Sequence, residues 1–153
     1  WISIPFPVPF TLQTFAVFLS LMTLGGKRGF YAVLVYLLMG AAGLPVFSGF
    51  QGGFGVFLGA TGGYLTGFLA SAFLYRILTS KHASPSRTVI AALAGLLTCY
   101  SIGTLWFSVG YASESVAGIR AALLLCVVPY VIPDLVKLAL AFVLSRRLNQ
   151  YLK

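Results

Sequence analysis

The chain has 153 residues, 59% of them hydrophobic and only 8% charged, with ten Lys and Arg against two Asp and Glu. Ordinary soluble domains carry about 25% charged residues, so at a mean hydropathy of +0.99 this chain has too little polar surface to cover a globule in water. The net charge of +8 is not spread as a nucleic-acid-binding face but gathered at the junctions between apolar runs, which excludes nucleic acid as the expected partner.

The long apolar runs lack period-2 alternation, which favours membrane-spanning helices over a barrel. An all-α, polytopic helical bundle forming one integral domain over residues 1–153 is therefore expected. Pro5, Pro7 and Pro9 enforce an extended lead-in, and Thr11 is placed to cap the helix that follows. The N-terminal segment has neither a basic region nor a cleavage pattern, so it does not read as a signal peptide.

The first predicted span is Phe10–Leu24, closed by a Gly25-Gly26-Lys27-Arg28 turn. A second covers Gly29–Leu44 and ends at Gly43 and Pro45. The connection Phe47–Phe57 is glycine-rich and uncharged. A third span runs over Leu58–Leu78 and a fourth over Val89–Phe107. The last apolar stretch, Val116–Leu148, is too long for one straight crossing and contains Pro129 and Pro133. It reads as a broken helix restarting at Pro133, a favoured first helical position.

Lys27 and Arg28, Lys81 and Arg87, and Arg146, Arg147 and Lys153 follow the first, third and last spans. Such loops mark the cytoplasmic side, so the C-terminus is expected inside. Five visible spans ending inside begin outside. A cytoplasmic natural N-terminus then implies one further span upstream of Trp1, six in all, with Trp1 and Phe6 as an interfacial anchor. A start at Trp rather than Met points the same way.

Two stripes of small residues, Gly59, Gly63, Gly67 and Ser71 in the third span and Ala91, Gly95, Cys99 and Gly103 in the fourth, suit close helix packing. Cys99 and Cys126 fall in apolar runs and read as packing residues. No metal-ligand spacing is present.

The charged pair Asp134 and Lys137 demands an explanation. Each ion near a bilayer centre costs roughly 2.5–3.5 kcal/mol on insertion scales, and intramembrane ionisable groups are site candidates by default. Residues three apart share a helix face, so the two can neutralise each other. Counting back from Arg146 at 1.5 Å per residue puts Asp134 roughly 18 Å above the inner boundary, slightly outward of the midplane. In the first turn of a restarted helix its carboxylate would also meet unpaired N–H groups and the positive dipole end. A carboxylate offers acceptors and an ammonium offers donors, so the pair suits a small ligand bearing both. An intrahelical pair that merely links helices is the alternative reading.

Gln13, Gln51 and Tyr64 lie near outer breaks, and Tyr36 and Tyr100 within spans; a lone Gln or Tyr usually satisfies a structural role. Gln51 tips a loop that could close over a cavity. His82, beside Lys81, reads as solvated. No triad, paired carboxylates or phosphate loop supports catalysis.

The run Pro7-Val8-Pro9-Phe10-Thr11-Leu12-Gln13-Thr14, the segment Gly43-Leu44-Pro45-Val46-Phe47, the element Gly59-Ala60-Thr61-Gly62-Gly63-Tyr64, and Pro133-Asp134-Leu135-Val136-Lys137 occur in this order. Over essentially its whole length the chain resembles BioY, the biotin-binding substrate subunit (S component) of energy-coupling-factor (ECF) vitamin importers. The resemblance implies a six-helix protein of the plasma membrane, not an enzyme and without a cofactor, that captures biotin from outside. It also implies a membrane coupling subunit and two cytoplasmic ATPases as partners, with a first helix, not found in this sequence, contacting the coupling subunit. The implied pocket uses Asp134, Lys137, Gln51 and Tyr64, with Asn a common alternative where Gln51 stands. On this reading Phe47, Phe50 and Phe54 bury the ligand. A receptor for another small vitamin, or an intramembrane enzyme using Asp134 as acid or base, are the competing expectations.

Overall fold

The structure, a computed structural model, describes residues 11–79, 83–110, 120, 123–124 and 126–151. Within them the chain forms α1 (Gln13–Ala41), the single-turn α2 (Gly55–Leu58), α3 (Gly62–Leu78), α4 (Pro85–Gly110) and α5 (Val128–Tyr151). A short 3-10 turn, Ser48–Phe50, precedes α2. Strand-like pairing among the described residues is limited to one bridge, Phe47 with Gln51. The proline lead-in with its Trp1 and Phe6 anchor, the loop around Lys81 and His82, and the connection bearing Glu114 lie outside the described residues.

α1 is a hairpin of two helical halves. The expected four-residue turn shrinks to one residue: Gly25 alone leaves helical geometry (φ 79°, ψ 166°), while Gly26, Lys27 and Arg28 already belong to the second half. A positive φ is open to Gly at little cost, so a single glycine makes the reversal. The halves then press together, since a Cβ on Gly29 would lie 2.7 Å from the Cα of Leu21. At the start of α1 the cap position falls to Leu12 rather than Thr11, although Thr11 Oγ1 accepts the N–H of Gln13 at 3.3 Å.

α3 packs most closely on α4, and α1 packs against both α3 and α5. The small-residue stripes make the α3–α4 seam. A Cβ on Gly67 would lie 3.1 Å from the Cα of Cys99, Ser71 Oγ donates to the carbonyl of Gly95, and Trp106 Nε1 donates to the carbonyl of Gly59 at 3.1 Å. Gly59 itself follows α2 rather than lying in a helix, so only Gly63, Gly67 and Ser71 of its stripe lie on α3.

α5 corrects the expected restart at Pro133. The helix begins at Val128 and runs through Pro133; Val127 is the turn. Pro129, not Pro133, occupies the first turn, where a missing N–H costs nothing. Asp134 therefore lies well past the first turn, and the helix-end stabilisation expected for its charge does not apply.

The burial pattern is inverted relative to a protein in water. α5 turns Ile132 (75% exposed), Val136, Leu140 and Val143 outward, while Asp134, Lys137, Leu138 and Ala141 are buried. Large contiguous apolar surface is foreign to soluble monomers. α4 and α5 are each long and apolar enough to cross a membrane.

Candidate ligand-binding site

α4 and α5 do not pack extensively on each other among the described residues. A cavity of about 290 Å³ is bounded by both helices together with α1, α3 and the 47–51 loop. Asp134, Lys137, Gln51 and Tyr64 all border it. Four residues scattered over 87 sequence positions, from 51 to 137, thus meet at one place.

Asp134 and Lys137 are 4% and 5% exposed. Lys137 Nζ donates to Asp134 Oδ1 at 2.7 Å, and from α4 the Tyr100 hydroxyl donates to Oδ2 at 2.7 Å. The carboxylate is thus held from its own helix on one oxygen and from the opposite wall on the other. An ionised carboxylate has about four lone-pair sites, so each oxygen keeps acceptor capacity toward the cavity.

Tyr64 stands in the first turn of α3, and its ring lies against Gly103, where a Cβ would collide with it. The Tyr64 hydroxyl is buried beside the Thr104 hydroxyl and the Cys126 thiol, and neither hydroxyl reaches full hydrogen-bond geometry among the described residues. The Ser48 hydroxyl, also at the cavity wall, is buried and unpartnered in the same sense. Buried polar groups without partners cost about 1–3 kcal/mol each, so such groups facing a cavity are acceptors and donors in waiting.

Gln51 is exposed and sits at the mouth. Its backbone carbonyl accepts the Phe47 N–H at 3.0 Å, which closes the loop. Phe47 is buried and packs edge-on against Tyr36 and Phe57, with centroids 5.7 and 5.5 Å apart. Its neighbours do not join it: Phe50 (83% exposed) and Phe54 (67%) do not line the cavity. Gly49 and Phe50 both take positive φ, 71° and 56°, and this turns the Phe50 ring outward.

The sequence reading missed Tyr100 as a partner of Asp134 and also left Gln13, Tyr130 and Cys126 out of the cavity wall. Gln13 Nε2 donates to the Tyr36 hydroxyl at 2.6 Å, and that hydroxyl donates to the carbonyl of Val46 at 3.3 Å. Both cysteines are free and buried. Tyr100 follows Cys99 directly on the α4 seam, and its helix face was the signal available.

The sequence profile of the BioY family matches residues 1–153. The chain belongs to the BioY family. It is 46% identical over 151 residues to the biotin transporter BioY of Thermotoga maritima, covering 98% of this chain and 86% of that protein. It is 39% identical over 143 residues to the probable biotin transporter BioY of Pyrococcus horikoshii, covering 94% and 82%. The fold is similar to the 2.1 Å crystal structure of the S-component for biotin from an ECF-type ABC transporter. That match has a TM-score of 0.74 and 28% identity, covering 98% of this chain and 79% of the other. BioY proteins are membrane transporters, and the apolar outer face described above is the surface such a protein presents to lipid.

Proposed function

We propose that this chain is the S component for biotin of an ECF-type transporter, capturing biotin from the outer side of the plasma membrane for import. The observation that carries this reading is the buried Asp134–Lys137 pair at the wall of a cavity that also holds unpartnered hydroxyls. Biotin presents two ureido N–H donors and a carbonyl on a fused ring, and its tail ends in a carboxylate. Asp134 accepts a ureido N–H, while Lys137 pairs with Asp134 and donates to the ligand. Tyr64 and Gln51 complete the polar contacts, Gln51 from the mouth. Phe47 and Phe68 supply apolar wall.

The protein spans the bilayer several times, with its C-terminus in the cytoplasm. There it works with a membrane coupling subunit and two ATPases. Catalysis has no part in this role.

The test is retention of labelled biotin by the detergent-solubilised protein carrying Asp134→Asn or Lys137→Ala. Both variants are expected to lose tight binding. Breaking one partner of a buried ion pair costs about 3–5 kcal/mol, so a thermal melt of each unliganded variant separates misfolding from ligand loss. Wild-type retention in both variants refutes the assignment.

A further inference from the structure

Resting on the biotin reading, we infer that Tyr100 is a positioning residue that sets ligand specificity, by fixing the plane of the Asp134 carboxylate across the cavity.

Asp134 and Lys137 share one helix, so a pair joined only by their 2.7 Å contact can swing together about their own side-chain torsions. The Tyr100 contact is of another kind. It comes from α4, a helix with no extensive packing against α5 among the described residues, and its 2.7 Å bond to Oδ2 spans the space between those walls. With Oδ1 tied along α5 and Oδ2 tied across to α4, the carboxylate has little freedom to rotate. Its remaining lone pairs point in set directions. A hydrogen bond is sensitive to that direction, weakening steeply as the angle bends.

The chemical consequence is discrimination. A fixed carboxylate rewards a ligand that brings an N–H along one line and penalises one that brings an alkyl group or a carbonyl there, because buried acceptors left unpaired cost the full desolvation. An Asp134 free to rotate could turn toward whichever donor the ligand offered. Tyr100 is tied into the α4 wall by its neighbour Cys99, whose Sγ contacts the Tyr64 carbonyl at 3.6 Å across the α3–α4 seam. The strut is therefore anchored in the tightest interface of the bundle.

A helix tie and a positioning residue predict different things for Tyr100→Phe, which keeps the ring and removes the hydroxyl. The readout is the ratio of affinities for biotin and for biotin methylated on one ureido nitrogen, measured by competition on the full-length protein. If Tyr100 orients Asp134, Tyr100→Phe weakens biotin roughly tenfold to a hundredfold, affects the methylated analogue far less, and so collapses the ratio. If Tyr100 only ties α4 to α5, both affinities fall together, the ratio stays at its wild-type value, and the inference is overturned. Tyr100→Leu serves as a second loss variant with the same expected ratio should the Phe variant not be recovered folded. Failure of wild-type protein to bind biotin at all would instead overturn the biotin reading itself.

Discussion

The ring of Tyr64 on α3 lies directly over Gly103 on α4, at a place where any side chain would collide with it. Helix packing and the ligand site are thereby coupled through two residues: the close approach of α3 and α4 that glycine permits is also what aims the Tyr64 hydroxyl.

Gly103→Ala is therefore expected to act on binding as well as stability. The added methyl has to displace the Tyr64 ring, and overpacking of this kind costs about 1–3 kcal/mol. Biotin affinity should fall by at least tenfold in equilibrium titration, and Tyr64→Phe combined with Gly103→Ala should lose less than the sum of the two single changes. Additive losses would mean that ring placement is not the route.

Gly40 stands in the same relation to the mouth loop. Its Cα faces the ring of Phe47, leaving no room for a Cβ, and its carbonyl accepts the Gly53 N–H at 2.7 Å. Gly40→Ala should push Phe47 off its seat and loosen the loop that carries Ser48 and Gln51. Faster biotin dissociation is expected, with little change in association, because loosening a closed mouth acts on escape. Stopped-flow or filter-based dissociation measures this directly; unchanged dissociation would show that the loop does not hold the ligand.

The outward face of α5 gives a test of the membrane placement. Ile132 is 75% exposed and two residues from buried Asp134. A lysine there would face hydrocarbon, at a cost of about 2.5–3.5 kcal/mol on insertion scales. Ile132→Lys should reduce the membrane-inserted yield severalfold, whereas Arg147→Ala, at the far end of the same helix, should leave it unchanged. Equal yields would argue that α5 is not in lipid at that depth.

Much of this was legible in the sequence for physical reasons. A small residue at every fourth position on two segments has few uses besides close packing, and Gly67 with Ser71 do meet Cys99 and Gly95. A charged pair three residues apart in an apolar stretch has to be paired and buried, and Asp134 and Lys137 are. What was not legible depended on tertiary geometry. Pro129 and Pro133 compete to start the same helix, and spacing alone does not say which will. Phe47, Phe50 and Phe54 look alike in sequence, but two positive φ values send Phe50 outward while Phe47 is buried. Tyr100 could not be matched to Asp134, 34 residues away, without knowing that their helices face one cavity.

The most direct measurement is a map of the full-length protein equilibrated with biotin, at a resolution that places the fused ring. The expected result is one biotin in the cavity, with a ureido nitrogen within hydrogen-bond distance of Asp134 and with Lys137, Tyr64 and Gln51 on its remaining polar atoms. Biotin bound elsewhere, or seated in the cavity with its ring turned away from Asp134, would contradict it.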